Sequence, residues 1–492
     1  MTDRTYKNHP TVMIQNTILV VFIFAMMSLS LMKPGTHVDM MLIYGAIAVF
    51  IILELFIVYA WKKTTITFEP DQIVVDSNVI YKRRKTIPYS KIASANVVRT
   101  VFNRILGTTT LQININSATN AARPEASFVF KADLAEKLRG ELMSRLFEQT
   151  YDPKKEKEYE SVLKFNGWDS VLYGMIGKSS FSFLSSVFWG AYSVISLLFF
   201  NTGSFIFALM MLIFSGIMPI ISLILRYCNF RVYRVDNTMR IEHGLIQTYR
   251  TSFEITRINA VRVRRPLFAR LMHKCCIETE VVGINAMGDD VTPLISLLIN
   301  EDQLEYAMQE LLPEFIRDIP VHKQPAKAKL PTYMRTTYVA VAWLALLGSL
   351  TAWLFLFMEP IEGSITASQI EIFGYLTAVI TVLGIVFLYW GAFTAMNRYE
   401  FGMGGDMFTI VNGIVDRSTT TVQYDRVQIS SLYATPMPRR FGLARANISM
   451  LSSAGARTVK SGFFEKEELE KISATMLSRL ADGEYDYRMT EI

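Results

Sequence analysis

The sequence predicts an α+β membrane protein in which six transmembrane helices form three hairpins, each followed by a small antiparallel β domain closed by a C-terminal amphipathic helix. Three observations predict it. Hydrophobic residues make up 51% of the 492 residues and the mean hydropathy is +0.26, high for a chain that folds in water. Apolar runs of about 20 residues, long enough to cross about 30 Å of hydrocarbon, come in pairs. Each pair is followed by a polar stretch with period-two alternation, the mark of strands.

The paired runs fall at roughly 12 to 32 and 40 to 61, 182 to 200 and 204 to 225, and 337 to 358 and 372 to 395. The predicted division is helix pairs over 1–62, 182–227 and 337–396, and β domains over 63–150, 228–316 and 397–482, with linkers at 151–181 and 317–336 and a tail at 483–492. The first run lacks a small-x-small cleavage site before Lys33 and is followed at once by a second run, so it reads as a retained anchor. Two crossings return the chain to its starting side, which puts both termini and all three β domains in one compartment. Lys33 is the only Lys or Arg in the hairpin loops, and the third loop carries Glu359 and Glu362. The opposite ends of the runs carry Arg4, Lys7, Lys62, Lys63, Lys178, Arg226, Arg231, Arg335 and Arg398. By the positive-inside rule the β domains are expected on the cytoplasmic face of the cell membrane. Adjacent Cys275 and Cys276 would strain a mutual disulfide and Cys228 sits at a membrane boundary, so the cysteines read as reduced thiols.

The β domains repeat internally. "FNRILG", "FARLMH" and "PRRFGL" place Arg104, Arg270 and Arg439 at matching positions, each twelve residues after Ile92, Ile258 or Val427. A recurrence at that distance means repeated domains, since it exceeds a solenoid unit. Each domain opens with a short meander punctuated by Asp71, Asn237 or Gly404, and again by Asn78, Gly244 or Gly413. A strand ending in a basic and an aliphatic residue follows: "IPYSKI", "FEITRI" and "VQYDRV". Leucine-rich stripes then predict the closing helices, on Leu134, Leu138, Leu142 and Leu146, on Leu304, Met308 and Leu311, and on Leu469, Ile472, Met476 and Leu480.

The match of Ile87, Pro88, Tyr89, Lys91, Ile92, Arg104 and Gly107 resembles the bacterial pleckstrin-homology-like (PH-like) domain of the second type. Three copies, each behind a helix pair, are similar to the YdbT-like group of bacterial membrane proteins. The second copy has His273 where Gly107 stands, and the third adds Arg440 before Phe441 and Gly442. The resemblance implies a curled antiparallel sheet capped by a helix, a placement at the membrane, and work in envelope homeostasis or tolerance to membrane-active peptides. It implies no settled ligand.

Two readings of Arg104, Arg270 and Arg439 stand side by side. Either the guanidinium fixes the turn by bonding carbonyls or a carboxylate, or these residues, with Arg265 and Arg440, face lipid headgroups or a partner's acidic groups. The run Lys82, Arg83, Arg84, Lys85 and Lys91 is likewise a headgroup or partner patch by fold analogy, or a charged strand edge that discourages edge pairing. Glu54 lies inside the second apolar run, where a carboxylate is costly unless it faces a protein neighbour or reaches the interface. Enzyme signals are poor. "GMIGKSS" lacks the glycine spacing and the preceding strand of a P-loop, the five histidines are scattered, and no catalytic set assembles. No catalytic residue, metal or cofactor is expected. The linkers read as charged or Pro-containing tethers that let domains reposition. The expected function is a non-catalytic scaffold, with membrane lipids, a related membrane protein having fewer PH-like domains, or a second copy as partners and no nucleic acid. An anionic-lipid-sensing array and, further off, an exporter component using Glu54 are the rivals.

Overall fold

The main run of strands in each β domain begins where an apolar helix ends. Lys62 and Lys63 close the helix Met40–Lys63, and β2 (Thr64–Phe68) starts at the next residue. β9 (Arg231–Val235) follows the helix end at Tyr227, and β16 (Glu400–Met403) follows Arg398. The computed structural model describes residues 4–14, 16–17, 20–21, 40–79, 81–115, 124–146, 161–199, 202–281, 293–358, 367–453 and 455–483. Most of the first apolar run, Lys33, Leu146 as a side chain, the tether residues 151–160, Glu359 and Glu362 lie outside the described residues.

Among the described residues three helices are long and apolar enough to cross a membrane: Phe205–Tyr227, Ala326–Leu356 and Ile370–Arg398, with a shorter apolar helix at Phe183–Leu198. The two ends of each hairpin lie side by side. Trp61 Nε1 donates to the Asn8 carbonyl at 2.8 Å, Ser170 Oγ to the Tyr227 carbonyl at 2.8 Å, and Gln324 Nε2 to the Ala395 carbonyl at 2.9 Å. In the third hairpin a Cβ on Gly384 would meet the Trp343 ring at 2.4 Å, so glycine there sets the closeness of the two helices.

Domain 1 places β1 (Arg4–Lys7), β2, β3 (Gln72–Asn78) and β4 (Lys82–Pro88) in one antiparallel sheet. The chain then turns a corner through the 3-10 turn Tyr89–Lys91 into β5 (Ile92–Arg99), β6 (Thr108–Ile115) and β7 (Ala126–Lys131). The helix Ala132–Leu146 lies over the gap and buries Ala135, Leu138 and Leu142 among Ile66, Phe68, Ile92, Leu111 and Phe128. Domain 2 repeats the plan with β8 (Leu163–Lys164), β9, β10 (Thr238–His243) and β11 (Thr248–Glu254), then β12 (Ile258–Arg265), β13 (Lys274–Val281), β14 (Leu294–Asn300) and the helix Glu301–Leu311. Domain 3 uses β15 (His322–Lys323), β16, β17 (Met407–Asn412) and β18 (Arg417–Gln423), then β19 (Val427–Tyr433), β20 (Leu443–Ser452), β21 (Gly455–Lys460), β22 (Phe464–Glu465) and the helix Lys466–Ala481. Leu480 of the predicted stripe is exposed, because the helix runs past the core that Leu469 and Ile472 enter.

The domains are not separate beads. β5 of domain 1 pairs with β11 of domain 2, and β12 of domain 2 pairs with β18 of domain 3. Each pairing fuses the second half of one domain with the first half of the next into a seven-stranded sheet, β7-β6-β5-β11-β10-β9-β8 and β14-β13-β12-β18-β17-β16-β15. This corrects the reading of the second linker as a mobile tether. Within 317–336, β15 pairs with β16, and the helix Lys329–Trp343 has already begun. Pro331 sits in the first turn of that helix, where its missing N–H costs no intrahelical bond.

Candidate functional site

The Arg-centred turns fold alike. Each is a short helix, Val101–Ile105, Leu267–Leu271 or Pro436–Arg440, followed by a residue with left-handed φ: Gly107 at 64°, His273 at 52° and Gly442 at 68°. The carbonyl of that residue accepts from the first residue of the closing helix: Ala132 N at 3.2 Å, Glu301 N at 3.0 Å and Lys466 N at 2.9 Å. Asn103, Ala269 and Pro438, one residue before each arginine, are buried. Asn103 also receives a bond from Thr108 Oγ1 at 3.2 Å and donates to Thr110 Oγ1 at 2.9 Å. The turn is thus held by its backbone and its buried neighbours. Arg104, Arg439 and Arg440 are exposed and Arg270 half-buried, and none makes a side-chain hydrogen bond or ion pair among the described residues. Exposed Phe102, Ile105, Leu271, Met272 and Phe441 flank them.

The turn of domain 2 lies at the end of an apolar helix. Phe268 packs on Phe183 at 4.5 Å between ring centres, near the start of the helix Ser180–Phe199. At the end of the helix Ala367–Arg398, Arg398 Nη1 donates to the Ile414 carbonyl at 3.0 Å. The basic run of domain 1 is the free edge strand β4, exposed from Lys82 to Thr86, and Arg84 reaches Glu69 at 3.5 Å while Lys85 pairs with Glu125. Lys91 is exposed in the corner turn. Glu54 Oε2 accepts from Thr17 Oγ1 at 2.7 Å, a contact between the two helices of the first hairpin.

The sequence did not announce what joins the domains. The basic residue of each corner turn reaches back to the preceding domain: Arg257 Nη1 donates to the Ile92 carbonyl at 3.1 Å, and Arg426 Nη2 to the Thr256 carbonyl at 2.6 Å. Buried Arg139 on the closing helix of domain 1 donates to Ser252 Oγ of domain 2 at 2.9 Å. Between domains 2 and 3, Glu280 is fully buried with Arg262 at 3.3 Å, Arg457 at 2.8 Å and Ser452 Oγ at 2.6 Å, while Arg264 Nε meets Glu278 at 2.7 Å. The signal was present as "VRVRR" on β12 facing "IETE" on β13, alternate opposite charges on strands otherwise apolar enough for a core.

Burial pushes the Cys275 thiol up to about 11 and the Cys276 thiol up to about 12, so both stay protonated and unreactive in the folded domain. Among the described residues no group of three or more His, Cys, Asp or Glu is arranged to hold a metal ion.

The family model described as bacterial PH domain matches residues 18–146, 184–312 and 328–480. The chain belongs to the bacterial PH domain family. Each matched stretch takes in helix from the preceding hairpin as well as the β domain behind it, so the bacterial PH unit here is hairpin plus domain. The chain is also 19% identical over 454 residues to the UPF0699 transmembrane protein YdbT of Bacillus subtilis (strain 168), covering 84% of this chain and 85% of that one. No solved structure matches. The chain is therefore a transmembrane protein carrying repeated bacterial PH-like domains.

Proposed function

We propose that this protein is a non-catalytic, six-span scaffold of the cell membrane that presents three cytoplasmic PH-like domains for assembly with another PH-like membrane protein, in envelope homeostasis or tolerance to membrane-active peptides. The single observation that carries the reading is the edge of β19, which among the described residues pairs with β20 alone. The equivalent strands β5 and β12 are covered by β11 and β18 of the following domain. β19 ends the series, and its Ile429 and Tyr433 are 61% and 60% exposed. An uncharged apolar edge of this kind is a template for a further strand. The chain itself displays the fitting occupant twice: the fourth strand of a following PH-like domain. Its own copy of that strand, β4, is a run of four cations, which weights the edge toward a related protein with fewer domains over a second copy.

Tagged full-length protein, crosslinked in cells and purified, is expected to bring down one such partner in fixed ratio. Ile429→Lys with Tyr433→Lys, both at exposed positions, is expected to lose it while expression and thermal stability persist. Recovery of the unaltered protein only as a lone monomer would sink the scaffold. A second reading, recognition of anionic lipid, is favoured by the arginines at the junction of domains 1 and 2.

A further inference from the structure

The two domain junctions share one plan but differ in charge at aligned positions. Arg99 ends β5 as Arg265 ends β12. Arg231 opens β9 as Glu400 opens β16, and Gln247 precedes β11 as Asp416 precedes β18. Ala132 and Glu301 are the first residues of their closing helices, each bonded to the left-handed carbonyl of its turn.

Between domains 2 and 3 the chain neutralises itself. Arg265 pairs with Glu301 at 2.8 Å and Arg417 with Glu400 at 2.9 Å. The Asp416 carboxylate accepts from Leu267 N at 3.1 Å, from Ser180 N at 3.0 Å and from the Ser180 hydroxyl. Between domains 1 and 2 all three acids are replaced, by Ala132, Arg231 and Gln247. Gln247 Oε1 is turned aside to accept from Tyr249 OH at 2.5 Å. Arg99, Arg104 and Arg231 make no ion pair among the described residues, and Arg99 Nε is buried without a partner. All three line a cleft of about 880 Å³. Of the other charges there, Arg250 is held by Glu136 at 2.9 Å and Glu242 at 3.4 Å, which leaves Asp133 as the one lining carboxylate not so engaged.

Guanidinium groups gathered in a cleft where Arg250 already engages the carboxylates of Glu136 and Glu242 are unfavourable by themselves, and their fork geometry matches phosphate oxygens. The volume is that of a small-molecule site and exceeds what inorganic phosphate needs. One wall fixes the depth: Gly244 N donates to the Cys228 carbonyl at 2.7 Å and Leu245 N to the Leu225 carbonyl at 2.9 Å, at the end of the apolar helix Phe205–Tyr227. Exposed Leu245 lines the cleft, and exposed Ile105 and Ile246 are the chain neighbours of its lining residues Arg104 and Leu245, on the side where an acyl chain would leave the headgroup.

We propose that the cleft between domains 1 and 2 binds the phosphate of an anionic phospholipid headgroup through Arg99, Arg104 and Arg231, where the junction of domains 2 and 3 uses Glu301, Glu400 and Asp416 instead. The proposal rests on the membrane placement of the protein and is independent of what pairs with β19.

The test is retention of phosphatidylglycerol by the full-length protein, read by native mass spectrometry after transfer from nanodiscs containing phosphatidylglycerol and phosphatidylcholine. The unaltered protein is expected to retain phosphatidylglycerol selectively. Arg99→Gln with Arg231→Gln is expected to lower retention about tenfold, the loss of two charge-assisted contacts. Ala132→Glu with Gln247→Asp, which installs the acids of the other junction, is expected to lower it as far while leaving thermal unfolding unchanged or raised. Arg265→Gln with Arg417→Gln is expected to leave retention alone, as is the β19 double variant. Equal retention by the unaltered protein and both cleft variants would overturn the proposal. Complete displacement of the lipid by millimolar inorganic phosphate would overturn the lipid assignment and give the cleft to a soluble phosphate.

Discussion

His273 does the work of a glycine. In domains 1 and 3 the position after the Arg-centred helix is Gly107 or Gly442, both with positive φ and open space where a Cβ would stand. In domain 2 a histidine adopts the same conformation at φ 52°, at a conformational cost of about 1 kcal/mol. The spacing from Ile92, Ile258 and Val427 exposed the repeat in the sequence. The arginine drew the eye because it is charged, while the structural invariants are a backbone angle and a buried neighbour that three different side chains supply. His273→Gly is therefore expected to stabilise domain 2 by about 0.5–1 kcal/mol, and Gly107→Ala to destabilise domain 1 by about 1 kcal/mol. Thermal unfolding of both variants in one detergent reads the sign. A loss of stability in His273→Gly would mean that the imidazole makes a contact worth more than the strain.

At the scale of strands and helices, alternation told which residues face a core but not which strand lies alongside. Val97 and Val98 read as one more stretch of domain 1, and only the register reveals them opposite Arg250 and Tyr249 of the next domain. Period two fixes the face, and partner choice depends on geometry far away in the chain. Leu138, Leu142, Leu469 and Ile472 repeat at helical spacing, and each is buried. The paired charges of β12 and β13 were the clue to a fused interface. Glu280 holds Arg262 and Arg457 from neighbouring domains with no exposure to water. Removing one partner from such a set strands the others, at a cost of about 3–5 kcal/mol. Glu280→Ala is expected to lower the unfolding temperature and to make the junction of domains 2 and 3 cleavable by protease before either apolar hairpin. Unchanged protease resistance in Glu280→Ala would show that strand pairing alone holds the junction.

At the scale of the whole molecule the hydropathy of the sequence disclosed apolar helices alternating with β domains, since solvent preference is additive along a chain. The fusion of domains through shared sheets was hidden, and with it the fact that the two junctions need not respond alike. His243 ends β10 at the first junction, its ring between Phe230 and Tyr249 at 5.6 and 5.0 Å and its Nδ1 donating to the Arg226 carbonyl at 2.7 Å. Burial, together with the Arg226 charge and against that carbonyl bond, lowers its pKa from 6.5 to about 4. The aligned residue at the second junction is Asn412, which does not titrate. A base whose pKa is depressed on folding contributes stability that is complete above its unfolded value and declines as pH falls toward its folded value, because the unfolded state then binds the extra proton. Between pH 7.5 and 5.5, above the ordinary carboxylate range of about 4, only the first junction should weaken. Hydrogen exchange corrected for intrinsic rates is expected to speed up roughly tenfold in β5 and β11 and to stay constant in β12 and β18. His243→Asn, which copies the second junction, is expected to remove that response. Equal acceleration at both junctions, or its survival in His243→Asn, would place the acid sensitivity outside this ring.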